Sequence, residues 1–274
     1  MGGGIGNINL GRSLDLHYGT NLAIALISTL LVLLSFIIKV INGTGFYDAA
    51  VGALGLGIGA FVVWALGREV DPDHDISAFI PIGFYIAGHA YFGASSLLAM
   101  FVTLTGIRMI NNTVGIPFTE LDRIVLLTMG IGFAYYLQSP VVAVVAAIAM
   151  ALDYIAPERN GIQLMFTALG SVSAIVLLYI MDHELLHGNK VIELGISLIV
   201  VLTFILLIAD YRTTISTGDR TGRSLDATRI RIGQVFFLVA AGVFTFSMGF
   251  GWSCPYWSVA AGCSIYHLAM KVTP

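Results

Sequence analysis

The chain alternates between long apolar stretches and short polar breaks, and this pattern predicts an all-α protein whose helices cross a membrane. A helix that spans the hydrocarbon core needs roughly 20 mostly apolar residues, and its backbone hydrogen bonds must be satisfied within the segment. Gly, Pro and Asn mark most of the breaks. The predicted spans are 21–41, 46–66, 76–92, 94–110, 121–137, 139–155, 162–181, 191–210, 230–250 and 255–270.

Two parts of this pattern leave the number of spans open. The stretch 76–110 is too long for one span and short for two, and the last segment also fits a re-entrant or interfacial helix. We therefore predict a polytopic helix bundle with about 9–10 transmembrane helices. A single transmembrane domain is expected over 21–270, preceded by a polar, Gly-rich segment over 1–20 that lacks the pattern of a cleaved signal peptide.

Composition supports a membrane protein and excludes several other classes. The 274 residues are 57% hydrophobic and only 11% charged, whereas soluble domains carry about 25% charged residues. The formal net charge of −3 leaves no basic excess for a nucleic-acid backbone, so the expected partners are membrane lipids and not nucleic acid. Two cysteines are too few for a disulfide scaffold.

The distribution of basic residues predicts the orientation in the membrane. With the N-terminus in the cytoplasm and the spans alternating, only Lys39 and Lys190 of the 13 Lys and Arg residues fall on the outer side. Such an asymmetry follows the positive-inside rule. The residues on the inner side are Arg12, Arg68, Arg108, Arg123, Arg159, Arg212, Arg220, Arg223, Arg229, Arg231 and Lys271.

Two acidic turns, at 67–75 and 153–160, fall on the predicted cytoplasmic side. Each follows an apolar helix that ends in Ala-Leu, contains one or more carboxylates and a proline, and precedes another apolar helix. This similarity suggests an internal repeat of units around 46–92 and 139–181, as in proteins that build one site from two related halves. The alternative is coincidence, because helices joined by acidic turns with proline are common in polytopic proteins.

The first acidic turn contains the densest cluster of charges in the chain. Asp71, Asp73 and Asp75 lie close enough together that full ionisation costs mutual repulsion unless a cation sits among them. Mg²⁺ binds carboxylate oxygens together with substrate phosphates. The turn is therefore a candidate magnesium site, and a solvated loop that caps helices is the alternative.

The layout resembles the UbiA superfamily of intramembrane prenyltransferases, whose acidic motifs follow the second and sixth helices. GREVDPDHD at 67–75 keeps the last two aspartates of the first family motif but lacks its Asn and first Asp, and IPIG follows at 80–83. DYIAPERNG at 153–161, followed by TALG at 167–170, is similar to the second motif, with Glu158 near the place of its second aspartate. The resemblance extends over about residues 20–250 and depends on layout more than on identical residues.

This resemblance implies that a prenyl diphosphate binds between the two turns through Mg²⁺, and that the prenyl group passes to a lipophilic acceptor. The implied catalytic residues are Asp71, Asp75 and Asp153, which would also bind the metal together with Glu158. The implied substrate-binding residues are Arg68, Arg159, Arg123, Glu69 and Asp73. The incomplete motifs leave open whether the chain is an active enzyme or a relative that has lost activity.

Other readings of the sequence remain alternatives. His183-Glu184-Leu185-Leu186-His187 matches the His-Glu-x-x-His zinc pattern, but a catalytic zinc also needs a third protein ligand. Ten short helices with an internal repeat also describe secondary transporters of the drug/metabolite type. A structural subunit of a membrane complex, with an acidic turn contacting a partner, is the third alternative.

Overall fold

The structure is a computed structural model that describes residues 15–93, 95–116, 118–157, 161–181 and 187–272. These residues form ten α-helices, which confirms the predicted all-α membrane bundle. The helices are α1 (Gly19–Ile41), α2 (Phe46–Val70), α3 (Ile80–Phe92), α4 (Leu97–Asn111), α5 (Glu120–Tyr136), α6 (Val141–Ile155), α7 (Gly161–Ile180), α8 (Val191–Asp210), α9 (Ala227–Met248) and α10 (Phe250–Val272).

Five of these helices, α1, α2, α7, α8 and α9, are long and apolar enough to cross a membrane. The helices α4 and α6 are also apolar but shorter, at 15 residues each. Large apolar side chains on α1, α7 and α8 are exposed. In a bilayer these exposed apolar faces contact the lipid chains, because the hydrocarbon core contains no water. The chain therefore fits an integral membrane protein.

Several helix ends differ from the predicted spans by one to five residues. The predicted and observed bounds of α8 coincide, whereas α2 continues to Val70, past its predicted end at residue 66. Helix α10 begins at Phe250, five residues before the predicted start at Pro255. Pro255 therefore lies inside α10, in its second turn, where a proline lacks the N–H that would bond to the carbonyl four residues earlier.

The described residues fall into two compact units. The α1–α3 unit comprises the described residues within 15–101, 187–210 and 241–272, and the α5–α7 unit comprises those within 102–181 and 211–240. Asp71 belongs to the α1–α3 unit and Asp153 to the α5–α7 unit. The predicted single domain and the predicted repeat stay predictions.

In the α1–α3 unit, α2 packs against α1 and α3, and α10 packs against α2, α3 and α8. Glycines allow these helices to approach closely. A Cβ at Gly57 would overlap Val32 of α1, and one at Gly59 would overlap the hydroxyl of Tyr85 in α3. Small residues at helix interfaces are typical of membrane bundles, where close van der Waals contact replaces the hydrophobic effect between helices.

In the α5–α7 unit, α6 packs between α5 and α7. The alanines of α6 line these contacts, since a Cβ at Gly130 of α5 would lie 2.7 Å from the Cβ of Ala146. Helix α5 begins with a capping box, in which Thr119 and Asp122 exchange hydrogen bonds. This cap fixes the start of α5 and places Arg123 in its first turn.

Candidate functional site

The best-defined polar cluster of the α5–α7 unit surrounds Asp153, near the end of α6. Its side chain lies on the buried face of the helix, and Asp153 is only 2% exposed. An isolated carboxylate at such a position would lose several kcal/mol of hydration free energy. The surrounding residues must therefore supply compensating charge and hydrogen bonds.

Two arginines and a glutamine supply them. The Nη2 atom of Arg229 donates to Oδ1 of Asp153 at 2.9 Å. The Nη2 atom of Arg123 donates to Oδ2 at 3.0 Å, and Nε2 of Gln163 donates to the same oxygen at 3.2 Å. Both carboxylate oxygens therefore have charge-assisted partners, which are stronger than hydrogen bonds between neutral groups. We call Arg123, Asp153, Gln163 and Arg229 the Asp153 cluster.

The arginines of this cluster also bind backbone carbonyls at helix ends. Arg229 donates through Nε to the carbonyl of Ile110 and through Nη1 to that of Pro157, each at 2.8 Å. Arg123 donates through Nη1 to the carbonyl of Phe118 at 2.8 Å. Ile110 lies in the last turn of α4, where the carbonyls carry partial negative charge and lack partners within the helix, whereas Pro157 follows α6 and Phe118 precedes α5. The cluster thus ties together the ends of α4, α5, α6, α7 and α9.

The acidic turn of the α1–α3 unit pairs its carboxylates differently. Asp71, at the end of α2, is 2% exposed and lies 2.9 Å from Nδ1 of His74. Asp75 forms an ion pair with Arg68 and accepts a hydrogen bond of 2.7 Å from the hydroxyl of Tyr18. The cations of this turn therefore come from the turn itself and from the last turn of α2.

The contact with Asp71 raises the pKa of His74 above its ordinary value of 6.5. The hydrogen bond to Asp71 is the largest cause, and the charges of Asp71 and Asp73 add to it, whereas burial acts in the opposite direction. The ring of Tyr266 lies beside the imidazole, with centroids 5.4 Å apart. His74 is the ionisable group of this turn whose charge changes nearest to neutral pH.

The described side chains do not by themselves fit a magnesium site. No group of three or more His, Cys, Asp or Glu residues placed to share one ion occurs in the described part of the chain. Asp71, Asp75 and Asp153 each lie against a cationic or ionisable side chain. A magnesium ion at Asp153 would have to displace an arginine. Magnesium binding therefore stays a prediction.

The predicted site residues that the structure describes fall in both compact units. Arg123 and Asp153 are in contact in the α5–α7 unit. The other placed residues, Arg68, Glu69, Asp71, Asp73 and Asp75, belong to the α1–α3 unit, where Glu69 is fully buried. The predicted residues Glu158 and Arg159 lie outside the described residues, as do His183 and Glu184 of the zinc pattern.

Sequence reasoning missed two members of the Asp153 cluster. It placed Arg229 among the basic residues that follow α8 and gave Gln163 no role. Arg229 is 9% exposed, whereas the neighbouring Arg231 is exposed. The start of α9 at Ala227 puts Arg229 in the first turn, on the buried face. A predicted start of α9 before residue 230 would have placed Arg229 inside the helix and could have identified it as a buried residue.

No family model, curated protein or solved structure matches this chain. The resemblance to the UbiA superfamily therefore stays a prediction that depends on the layout of the acidic turns.

Proposed function

We propose that the chain is an intramembrane prenyltransferase-like protein that binds a prenyl diphosphate and has lost metal-dependent catalysis. The observation that carries this proposal is the convergence of two buried guanidinium groups, from Arg123 and Arg229, on one carboxylate of Asp153. Arginine binds phosphate oxygens in the same forked geometry as it binds carboxylates. The prenyl tail would lie among the apolar helices.

The positive-inside asymmetry of the sequence supports a location of the Asp153 cluster at the cytoplasmic ends of its helices. A diphosphate from the cytosol reaches this side without crossing the bilayer. The loss of metal-dependent catalysis is supported by the occupation of both Asp153 oxygens by arginine and glutamine donors. An intact metal-dependent site would instead leave its carboxylate oxygens to the ion.

A binding experiment with matched variants tests this function. Purified full-length protein is titrated with farnesyl and geranylgeranyl diphosphate, with Mg²⁺ and with a chelator. We expect binding that does not need the metal. Arg229→Met should weaken it by about tenfold, which corresponds to one charge-assisted contact, whereas Arg231→Met, at an exposed arginine two residues away, should not.

The same experiment also tests whether the protein is an active, metal-dependent transferase. Binding that requires Mg²⁺ and disappears in both Asp71→Asn and Asp153→Asn would contradict the loss of metal-dependent catalysis and restore the active transferase. No binding by the wild-type protein would refute both forms.

A structural subunit of a membrane complex is the second candidate function. It is favoured by the bonds from Arg229 and Arg123 to backbone carbonyls, which stabilise helix ends without any ligand. This alternative predicts that neither diphosphate binds and that the protein co-purifies with a fixed partner. Transport of a small molecule stays a prediction.

A further inference from the structure

A cavity of about 320 Å³ lies in the α1–α3 unit, at the end of α3 away from the acidic turn. Helix α3 has 13 residues, so it separates the two by roughly 20 Å at 1.5 Å per residue. The cavity is bounded by the end of α3, the segment before α8 and the bend between α9 and α10. Its walls include Phe92, His187, Lys190, Glu193, Gly249 and Trp252.

The segment before α8 is held in place by hydrogen bonds. The backbone N–H of His187 donates to the carbonyl of Phe246 at 2.5 Å. The side-chain amide of Asn189 donates to the carbonyl of Thr245 and accepts from the N–H of Phe250, each at 3.0 Å. These bonds attach residues 187–190 to the α9–α10 bend, so His187 and Lys190 have a fixed position on the cavity wall.

Glycine makes room on the facing wall. Gly249 has φ +91°, and a Cβ there would lie 2.7 Å from Cδ2 of the His187 ring. A Cβ at Gly251 would lie 3.2 Å from the Cβ of Phe92. Glycine is the residue that adopts positive φ without strain and lets a group approach the backbone. Larger residues at these positions would press into the ring or into Phe92.

Two of the polar side chains that line the cavity, Lys190 and His187, can donate hydrogen bonds to an anion. The carboxylate of Glu193 accepts the backbone N–H of Lys190 at 2.9 Å and caps the start of α8. The Lys190 ammonium and the His187 imidazole form no side-chain hydrogen bond or ion pair within the residues that the structure describes. These two donors therefore remain available to a ligand in the cavity.

We propose that this cavity binds the phosphate headgroup of a membrane lipid. Lys190 directly precedes α8, which is long and apolar enough to span the membrane, so the cavity lies at the level where a bilayer places its headgroups. Lys190 and His187 would donate to the phosphate oxygens, while Phe92 and Trp252 contact the upper part of the acyl chains, as interfacial aromatic residues do.

Lipid retention by variants of the full-length protein tests this site. Protein equilibrated with phosphatidylglycerol in detergent micelles is analysed by native mass spectrometry. We expect Lys190→Gln and His187→Gln each to reduce the retained phosphatidylglycerol about tenfold. Lys39→Gln is the matched control, because Lys39 lies at the corresponding end of α1, outside the cavity, and should retain the wild-type amount.

Two further arms separate the lipid from other ligands. Inorganic phosphate should displace little phosphatidylglycerol, because it lacks the acyl chains; displacement by phosphate at equal concentration would instead assign the cavity to a free anion. Bound zinc that is lost in His187→Gln would identify a metal site and overturn the proposal.

The remaining outcomes concern specificity and folding. An equal loss of lipid in Lys39→Gln and Lys190→Gln would indicate general attraction to the interface and contradict a defined site. Glu193→Gln removes a carboxylate from the cavity and should not reduce retention. A fall in Glu193→Gln as large as that in Lys190→Gln would indicate collapse of the segment and count against the proposal.

Discussion

Removing the charge of Asp153 should destabilise the α5–α7 unit. We expect this effect to be larger than that of any other Asp→Asn or Glu→Gln substitution in the unit. In Asp153→Asn, one amide oxygen remains to accept hydrogen bonds, while the new NH₂ group faces guanidinium donors. Arg123 and Arg229 would then be buried without a counter-charge, since their side chains are only 6% and 11% exposed. Because both guanidinium groups are buried, water cannot replace the lost interactions with the carboxylate.

The magnitude follows from the contacts that are lost. A hydrogen bond to a charged group contributes about 1.5–3 kcal/mol, and Asp153 forms one such bond with each arginine. Loss of both bonds would cost roughly 3–6 kcal/mol, and the amide oxygen of Asn, which can still accept one neutral hydrogen bond, keeps the cost below the top of that range. Breaking a buried ion pair by removing one partner costs about 3–5 kcal/mol, which agrees with that range. We expect a decrease of about 4 kcal/mol in the free energy of unfolding.

Equilibrium unfolding by SDS in mixed micelles measures this quantity for a helical membrane protein. Asp226→Asn is the matched control, because Asp226 is an exposed carboxylate of the same unit that caps the start of α9 with a bond of 2.7 Å to the N–H of Thr228. Asparagine caps helices as well as aspartate does, so the control should change stability by no more than about 0.5 kcal/mol. Equal, small effects of the two substitutions would refute the structural role of the Asp153 cluster.

Two other predictions concern the α1–α3 unit. Gly59→Ala should destabilise the protein by about 1–3 kcal/mol, because the new Cβ would overlap the buried hydroxyl of Tyr85. Gly55→Ala is the control, because a Cβ at Gly55 meets no described atom within 4 Å. This control should be neutral or stabilising in the same SDS titration. The pKa of His74 is raised, so its ion pair with Asp71 stabilises the fold below the ordinary histidine pKa and is lost as the pH rises through the raised value. Asp71→Asn should lower the pKa of His74 measured by NMR, and an unchanged pKa would contradict the assigned cause.

The sequence predicted the helices well because most of them are long apolar stretches between polar breaks. The bounds of α8 could be read directly, since Lys190 precedes it and Asp210 ends its apolar stretch. The end of α2 could not, because hydropathy falls at Arg68 and Glu69 although the helix continues to Val70. Glu69 is fully buried, and hydropathy alone cannot tell a buried charge with partners from a charge in water.

The site was predicted less well because burial of a single arginine depends on the phase of its helix. Arg229 and Arg231 have the same chemistry and the same basic surroundings in the sequence. Residues that are two positions apart in an α-helix are separated by about 200° around the helix axis. The side chains of Arg229 and Arg231 therefore point to nearly opposite faces. Arg229 faces Asp153, while Arg231 is exposed. A shift of α9 by one or two residues would exchange these roles, and helix starts predicted from sequence are uncertain by more than that.

The two acidic turns show how a similar sequence can lead to different chemistry. When the Ala-Leu pairs of α2 and α6 are aligned, Gly67 corresponds to Asp153 and Asp71 corresponds to Pro157, so neither aspartate has a carboxylate at the equivalent position of the other turn. Asp153 lies inside α6, where its backbone is already bonded and its side chain is directed by the helix toward α5, α7 and α9. Asp71 follows the last residue of α2, and its partner His74 comes from the turn itself. A carboxylate inside a helix can hold neighbouring helices together, whereas one in a turn can change partners with little disturbance of the helices. If either turn responds to a ligand, we therefore expect the Asp71 turn to rearrange and the Asp153 cluster to keep its geometry.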